Sequence, residues 1–132
     1  MTDRPFETKL LPERPDVMAP DGSDVRILTS VAAGGMAHFS LAPGKVSKAV
    51  VHRTVEEVWY IVSGAGEMWR SNDRGEEVTP LCPGVSLSIP LGTRFQFRSL
   101  GPEDLTVVAV TMPPWPGEGE AVFVDGRWQP QV

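Results

Sequence analysis

The residues best equipped for chemistry are His52 and Glu57, an imidazole and a carboxylate separated by four residues in Val50-Val51-His52-Arg53-Thr54-Val55-Glu56-Glu57. Histidine is the side chain that ordinarily titrates near neutrality, and a carboxylate beside it either orients the ring or exchanges a proton with it. The pair suits acid-base work on a small molecule, with His52 as base and Glu57 as acid or as the group orienting the base. Both side chains also belong to the usual set of metal ligands. A His and a Glu that are buried and satisfy each other without any further role leave the same trace in a sequence.

Two strands must bring them together. Glu57 opens the apolar run Val58-Trp59-Tyr60-Ile61-Val62, which ends at Gly64 and Gly66, and its β-branched and aromatic content marks a strand. Side chains alternate along a strand, so Glu57, Trp59 and Ile61 share one face. A second strand is expected over Val46 to His52, with Val46, Lys48, Val50 and His52 on one side and Arg53 to Glu56 turning the corner. On that side Lys48 must either snorkel to water or act as a cation of the pocket. In Thr93 to Ser99, Phe95 and Phe97 oppose Arg94, Gln96 and Arg98, and Gln96 turns inward only if a bulge near Gly92 exchanges the faces. In Met36 to Leu41, Ala37, Phe39 and Leu41 oppose Met36, His38 and Ser40. Candidate substrate-binding residues are therefore Trp59, Phe95 and Phe97 as an aromatic wall, with His38 and Gln96 as polar members. Core packing is the competing reading for the rings, and a structural role for His38.

Further strands are expected at Val25 to Ser30, Glu67 to Ser71, Glu76 to Leu81, Val85 to Ile89 and Ala121 to Val124. Leu105 to Thr111 is apolar almost throughout and reads as a central strand buried on both faces. Thirteen Gly and thirteen Pro recur between these runs, and no helical period intervenes, so the chain is all-β. Residues 1–24, rich in Pro and charge, form an arm expected to pack on the barrel or on a partner subunit. Residues 25–132 form a single domain with an irregular C-terminal tail, where Trp115 and Trp128 cap the barrel mouth, line an interface or pack on the barrel edge.

The spacing around the pair resembles the cupin superfamily. Gly44, five residues, Val50-Val51-His52, four residues, Glu57, six residues and Gly64 follow the first cupin motif, except that Val50 stands where the pattern has a first His. Gly84, five residues, Pro90-Leu91-Gly92, two residues, Phe95, three residues and Ser99 follow the second, with Phe95 in place of its metal-binding His and Ser99 in place of its Asn. The resemblance implies a cupin-type antiparallel β-barrel, or double-stranded jelly roll. Cupins typically bind a transition metal through three His and one Glu. Here two donors are replaced by side chains without lone pairs, so no metal ligand is assigned and a divalent transition metal is the lesser expectation.

The resemblance also implies a small organic ligand and, by analogy with cupins that act on sugars or polyketide-like rings by proton transfer, a metal-free or weakly metal-dependent isomerase, epimerase or cyclase. A non-catalytic binding or sensing barrel, or a metal-dependent enzyme with an atypical ligand set, are the alternatives. The formal charge of −5 and the lack of a basic stripe argue against nucleic acid. No run is long and apolar enough for a membrane helix, and the N-terminus lacks the apolar core of a signal peptide. The single Cys82 points to a cytoplasmic location. A homodimer is expected, because the arm and the outward Val58, Tyr60 and Val62 offer exposed strand edge and apolar surface.

Overall fold

A computed structural model of the chain describes residues 5–132, and every regular element among them is a β-strand. In chain order these are β1 (Val17–Met18), β2 (Asp24–Val31), β3 (Gly34–Leu41), β4 (Val50–His52), β5 (Glu56–Ser63), β6 (Gly66–Asn72), β7 (Gly75–Leu81), β8 (Ser86–Ile89), β9 (Arg94–Ser99), β10 (Leu105–Met112) and β11 (Ala121–Phe123). They form two antiparallel sheets, β1-β2-β3-β10-β5-β8 and β11-β4-β9-β6-β7, the double-sheet jelly roll expected from the short strands and Gly/Pro turns. No helix among the described residues is long and apolar enough to cross a membrane.

Alternation decides which side chains enter the interior. On β5, Glu57, Trp59 and Ile61 are buried while Glu56, Val58, Tyr60 and Val62 face outward. The turn that follows is glycine-dependent: Gly64 adopts φ +87° with the backbone of Asp104 and Leu105 where a Cβ would stand, and Gly66 lies against the Arg98 carbonyl. This close approach lets β6 leave β5 and join the opposite sheet beside β9. The strands then enclose a core that includes Ile61, Met68, Leu81, Phe97, Leu105 and Val107.

Two expectations need correction. β10 is central, between β3 and β5, but only Leu105, Val107, Ala109 and Thr111 are buried; Thr106, Val108 and Val110 are half-buried, because among the described residues no helix or third layer covers the outside of the sheet. The strand expected from Val46 is only Val50–His52. Ser47 breaks its ladder: the hydroxyl accepts the Phe97 N–H at 3.0 Å, in the place of a strand carbonyl, and Ser47 N–H donates to Phe97 O at 2.9 Å. With the period interrupted, Ser47 and Ala49 are buried and Lys48 is exposed, its ammonium 5.2 Å from the Phe123 ring centroid.

The described part of the arm is bound to its own barrel. Arg26 donates to the carbonyls of Pro12 and Glu13, Ser30 N–H donates to Glu7, and β1 pairs with the start of β2. Residues 1–4 of the expected arm lie outside the described residues.

Candidate active site

The interior is not filled at one end. A cavity of about 620 Å³ opens there between the two sheets, walled by residues 17–21, by the inward faces of β2, β3, β5 and β9, and by the tail around Pro114 to Glu118. His52 ends β4 in one sheet and Glu57 lies at the start of β5 in the other, so the intervening corner carries the chain across the barrel. Glu120 fixes that corner. Its carboxylate accepts Thr54 N–H at 2.8 Å, Thr54 Oγ1–H at 2.6 Å and Val55 N–H at 3.0 Å, and its backbone carbonyl accepts Arg53 N–H. Burial alone would raise the Glu120 carboxyl, but these donors and nearby His52 outweigh it and hold the group below its ordinary range.

His52 Nδ1 lies 3.2 Å from Glu57 Oε2, with both side chains almost wholly buried. The contact lacks hydrogen-bond alignment, and His52 Nδ1 has no hydrogen-bond partner among the described residues. Nor is it an ion pair. Burial lowers the imidazole from 6.5 to about 4, against a smaller opposing pull from Glu120. Burial raises the Glu57 carboxyl from 4.5 to about 7, against a 3.1 Å hydrogen bond from Trp59 Nε1–H, with nearby Asp21 adding to the rise. Between these limits the pair is a neutral base facing a neutral acid. That is the arrangement acid-base catalysis uses, and it follows from burying both groups side by side at one cavity.

Aromatic rings surround the pair in an arc. Phe39 and Trp59 have centroids 5.8 Å apart, Trp59 and Phe95 6.2 Å, Phe95 and His52 5.2 Å, and His52 and Trp115 5.0 Å. Phe39 comes from β3, and Trp115 comes from the proline-broken tail and stays partly exposed at the mouth. Asp21 also lines the cavity, its Oδ1 accepting Ser23 N–H at 3.0 Å and Ser23 Oγ–H at 2.7 Å; burial raises its carboxyl in spite of these donors and of Lys48.

The structure thus places His52, Glu57, Trp59 and Phe95 around one cavity and separates the other three candidates from it. Phe97 faces inward but packs behind Trp59, at a centroid distance of 5.0 Å, within the solid core. Gln96 is wholly buried on the opposite face of β9. There its amide donates to Ser47 O and Trp128 O, both at 2.8 Å, and accepts Trp128 N–H, pinning the tail, because no bulge near Gly92 exchanges the faces. Trp128 accordingly packs outside the barrel, its ring 4.3 Å from the Arg98 guanidinium carbon. His38 alternates with the inward Ala37 and Phe39 and stands on the outer side of its sheet between Arg26 and Val108, where burial and then Arg26 lower its pKa. Asp21 and Glu120 were not among the sequence candidates. Asp21 carries a weak signal, a turn-forming Pro-Asp-Gly-Ser, and Glu120 carries none, since its partners lie 65 and 66 residues away.

The residues present do not fit the usual cupin metal. Val50 and Phe95 are register partners on β4 and β9, both facing the cavity beside His52, so the two missing donor positions are where the motif puts them and offer no lone pair. Among the described residues no group of three or more His, Cys, Asp or Glu side chains is close enough to hold an ion.

A jelly roll with a His and a Glu on its inner wall, at this spacing, defines a cupin-type barrel. The family model for the cupin domain matches residues 37–111, more than half the chain, and the chain belongs to the cupin family. It is similar in fold to an uncharacterized conserved protein with a double-stranded beta-helix domain from Klebsiella pneumoniae (TM-score 0.69, 19% identity, 91% of this chain and 100% of that one). KdgF from Halomonas sp. aligns at TM-score 0.62 and 21% identity over 74% of this chain and 85% of that one. A variant oxalate decarboxylase from B. subtilis aligns at 0.72 and 15% over 92% of this chain, but over only 34% of the decarboxylase. No curated protein matches the chain in sequence.

Proposed function

We propose that this cupin binds a small organic molecule in the barrel and transfers a proton on it, as an isomerase, epimerase or cyclase of the cytoplasm. His52 is the base and Glu57 the acid. The observation that carries this reading is a buried imidazole nitrogen without a hydrogen-bond partner, 3.2 Å from a buried carboxyl, at the wall of a cavity large enough for a metabolite. Trp59 orients Glu57 through its indole N–H, and Trp115 and Phe95 hold the imidazole between them. A base active when neutral and an acid active when protonated give a rate plateau between apparent pKa values of about 4 and about 7, which belong to the pair as a unit.

Isotope exchange tests the reading. Incubated in deuterium oxide with a panel of cyclic ketones and reducing sugars, the protein is expected to place deuterium at an acidic C–H of at least one compound, and His52→Ala to abolish it. Binding without exchange across the panel overturns catalysis and leaves ligand binding or sensing, a reading favoured by the way His52 and Glu57 face each other. The half-exposed Val58, Tyr60 and Val62 support a homodimer through the outer face of β5. Light scattering at micromolar concentration is expected to give twice 14.4 kDa, and a single-chain mass would refute the dimer.

A further inference from the structure

Apart from His52, the ionisable side chains that line the cavity are all carboxyl groups. Asp21, Glu57 and Glu118 line it, and none of its described lining residues is Lys or Arg. Lys48 acts on Asp21 from outside the cavity; it is exposed, its ammonium 5.2 Å from the Phe123 ring centroid. His52 adds no positive charge, since its ring is held neutral above a pH of about 4. Its Nδ1 is buried, without a hydrogen-bond partner among the described residues, at the cavity wall. Apart from Ser30 and Thr111 the remaining wall is apolar, and it includes the aromatic residues Phe39, Trp59, Phe95 and Trp115.

From this geometry we propose that the cavity selects a ligand bearing a positively charged nitrogen, an amine or quaternary ammonium, seated against the rings and facing the carboxyl groups of Asp21 and Glu57. Ring faces attract a desolvated cation, and carboxylates complete the charge balance that burial otherwise denies them. The two carboxyl groups are mutually repulsive, Asp21 raising Glu57, so a cation between them relieves a cost already present in the free protein. An anion in the same place would meet three acidic side chains and no cation. The inference rests on reading the cavity as a ligand site, and it adds the class of ligand.

Three probes of nearly one shape decide it by calorimetry on the whole chain: choline, its uncharged isostere with a quaternary carbon in place of nitrogen, and the tert-butylacetate anion. Choline is expected to bind about tenfold or more tightly than the isostere, the scale of a desolvated cation on aromatic faces, and the anion not to bind. Asp21→Asn is expected to reduce that preference severalfold, with circular dichroism reporting the fold. Equal or tighter binding of the isostere, binding of the anion, or no binding of choline at millimolar concentration each overturns the proposal on wild-type protein alone. Deuterium exchange into a neutral ligand with choline excluded would sink this inference and keep the acid-base reading. Choline binding without exchange in any compound would do the reverse.

Discussion

On β9, Phe95 and Phe97 point into the same interior two residues apart, both almost fully buried, yet they stand in different surroundings. Phe97 is enclosed by the core, whereas Phe95 touches His52 on one side and the cavity on the other. The same division runs along the neighbouring strands. β5 passes from Glu57 and Trp59 at the cavity to Ile61 in the core, β3 from Ala37 and Phe39 to Leu41, and β10 from Thr111 to Leu105. Each strand is thus hollow at one end and packed at the other. Among the described residues, carboxyl and imidazole groups occur on the inward faces only at the hollow end, because there they meet a space a ligand can fill instead of a closed apolar wall.

The largest effect expected from exploiting that difference is the creation of a metal site. Val50 and Phe95 sit side by side at the hollow end with His52 and Glu57, so Val50→His with Phe95→His assembles four donors where the parent has two. Elemental analysis is expected to find well under one transition-metal ion per parent chain. The double variant is expected to bind zinc or nickel at micromolar Kd or tighter, about 8 kcal/mol gained from nothing measurable. A stoichiometric metal in the parent, or none in the variant, would show that the hollow end is not built as described.

Next in size is the contrast between the two phenylalanines. Phe97→Ala leaves a void in close-packed surroundings and is expected to cost about 3–5 kcal/mol in chemical denaturation. Phe95→Ala enlarges a space that already exists and is expected to cost at least about 1 kcal/mol less, since the penalty grows with the new cavity. Equal costs would mean that the two ends are equally packed.

Fold and motif register were legible in the sequence because they depend on period and turn chemistry. Alternation in β5 and β9, together with the glycines that end the strands, was enough to turn Glu57, Trp59 and Phe95 inward. Depth along a strand was not legible, because a period of two separates faces and says nothing about which end is filled; hence Phe97 was expected beside the ligand and lies in the core. Gln96 was misplaced for another reason. A buried amide needs partners, and those partners, Ser47 and the Trp128 backbone, come from segments with no ladder signal of their own. Asp21 and Glu120 belong to the same class, brought to the site by irregular chain at long range.

The smallest effect separates the ends by pH. Glu57 is raised from 4.5 to about 7, so the folded chain keeps a proton that the unfolded chain releases; stability from this group is full below 4.5 and lost as pH rises to about 7. His52 is lowered from 6.5 to about 4, so the unfolded chain takes up a proton that the folded chain refuses; stability is full above 6.5 and lost as pH falls to about 4. Each shift corresponds to roughly 3 kcal/mol, and over the shared window the two slopes oppose and nearly cancel. Glu57→Gln removes the falling slope, so its urea midpoint is expected to climb with pH through that window relative to wild type. His52→Asn removes the rising slope, and its midpoint is expected to drop. Asp21, also raised, is coupled to Glu57, so Glu57→Gln relieves part of its shift as well and the comparison reads the two carboxyl groups together. Phe97→Ala, at the packed end, should lower the whole curve without changing its shape. If the Glu57 and His52 variants instead run parallel to wild type, burial is not what holds the pair neutral, and the hollow end is wetter than the packed one by more than its cavity implies.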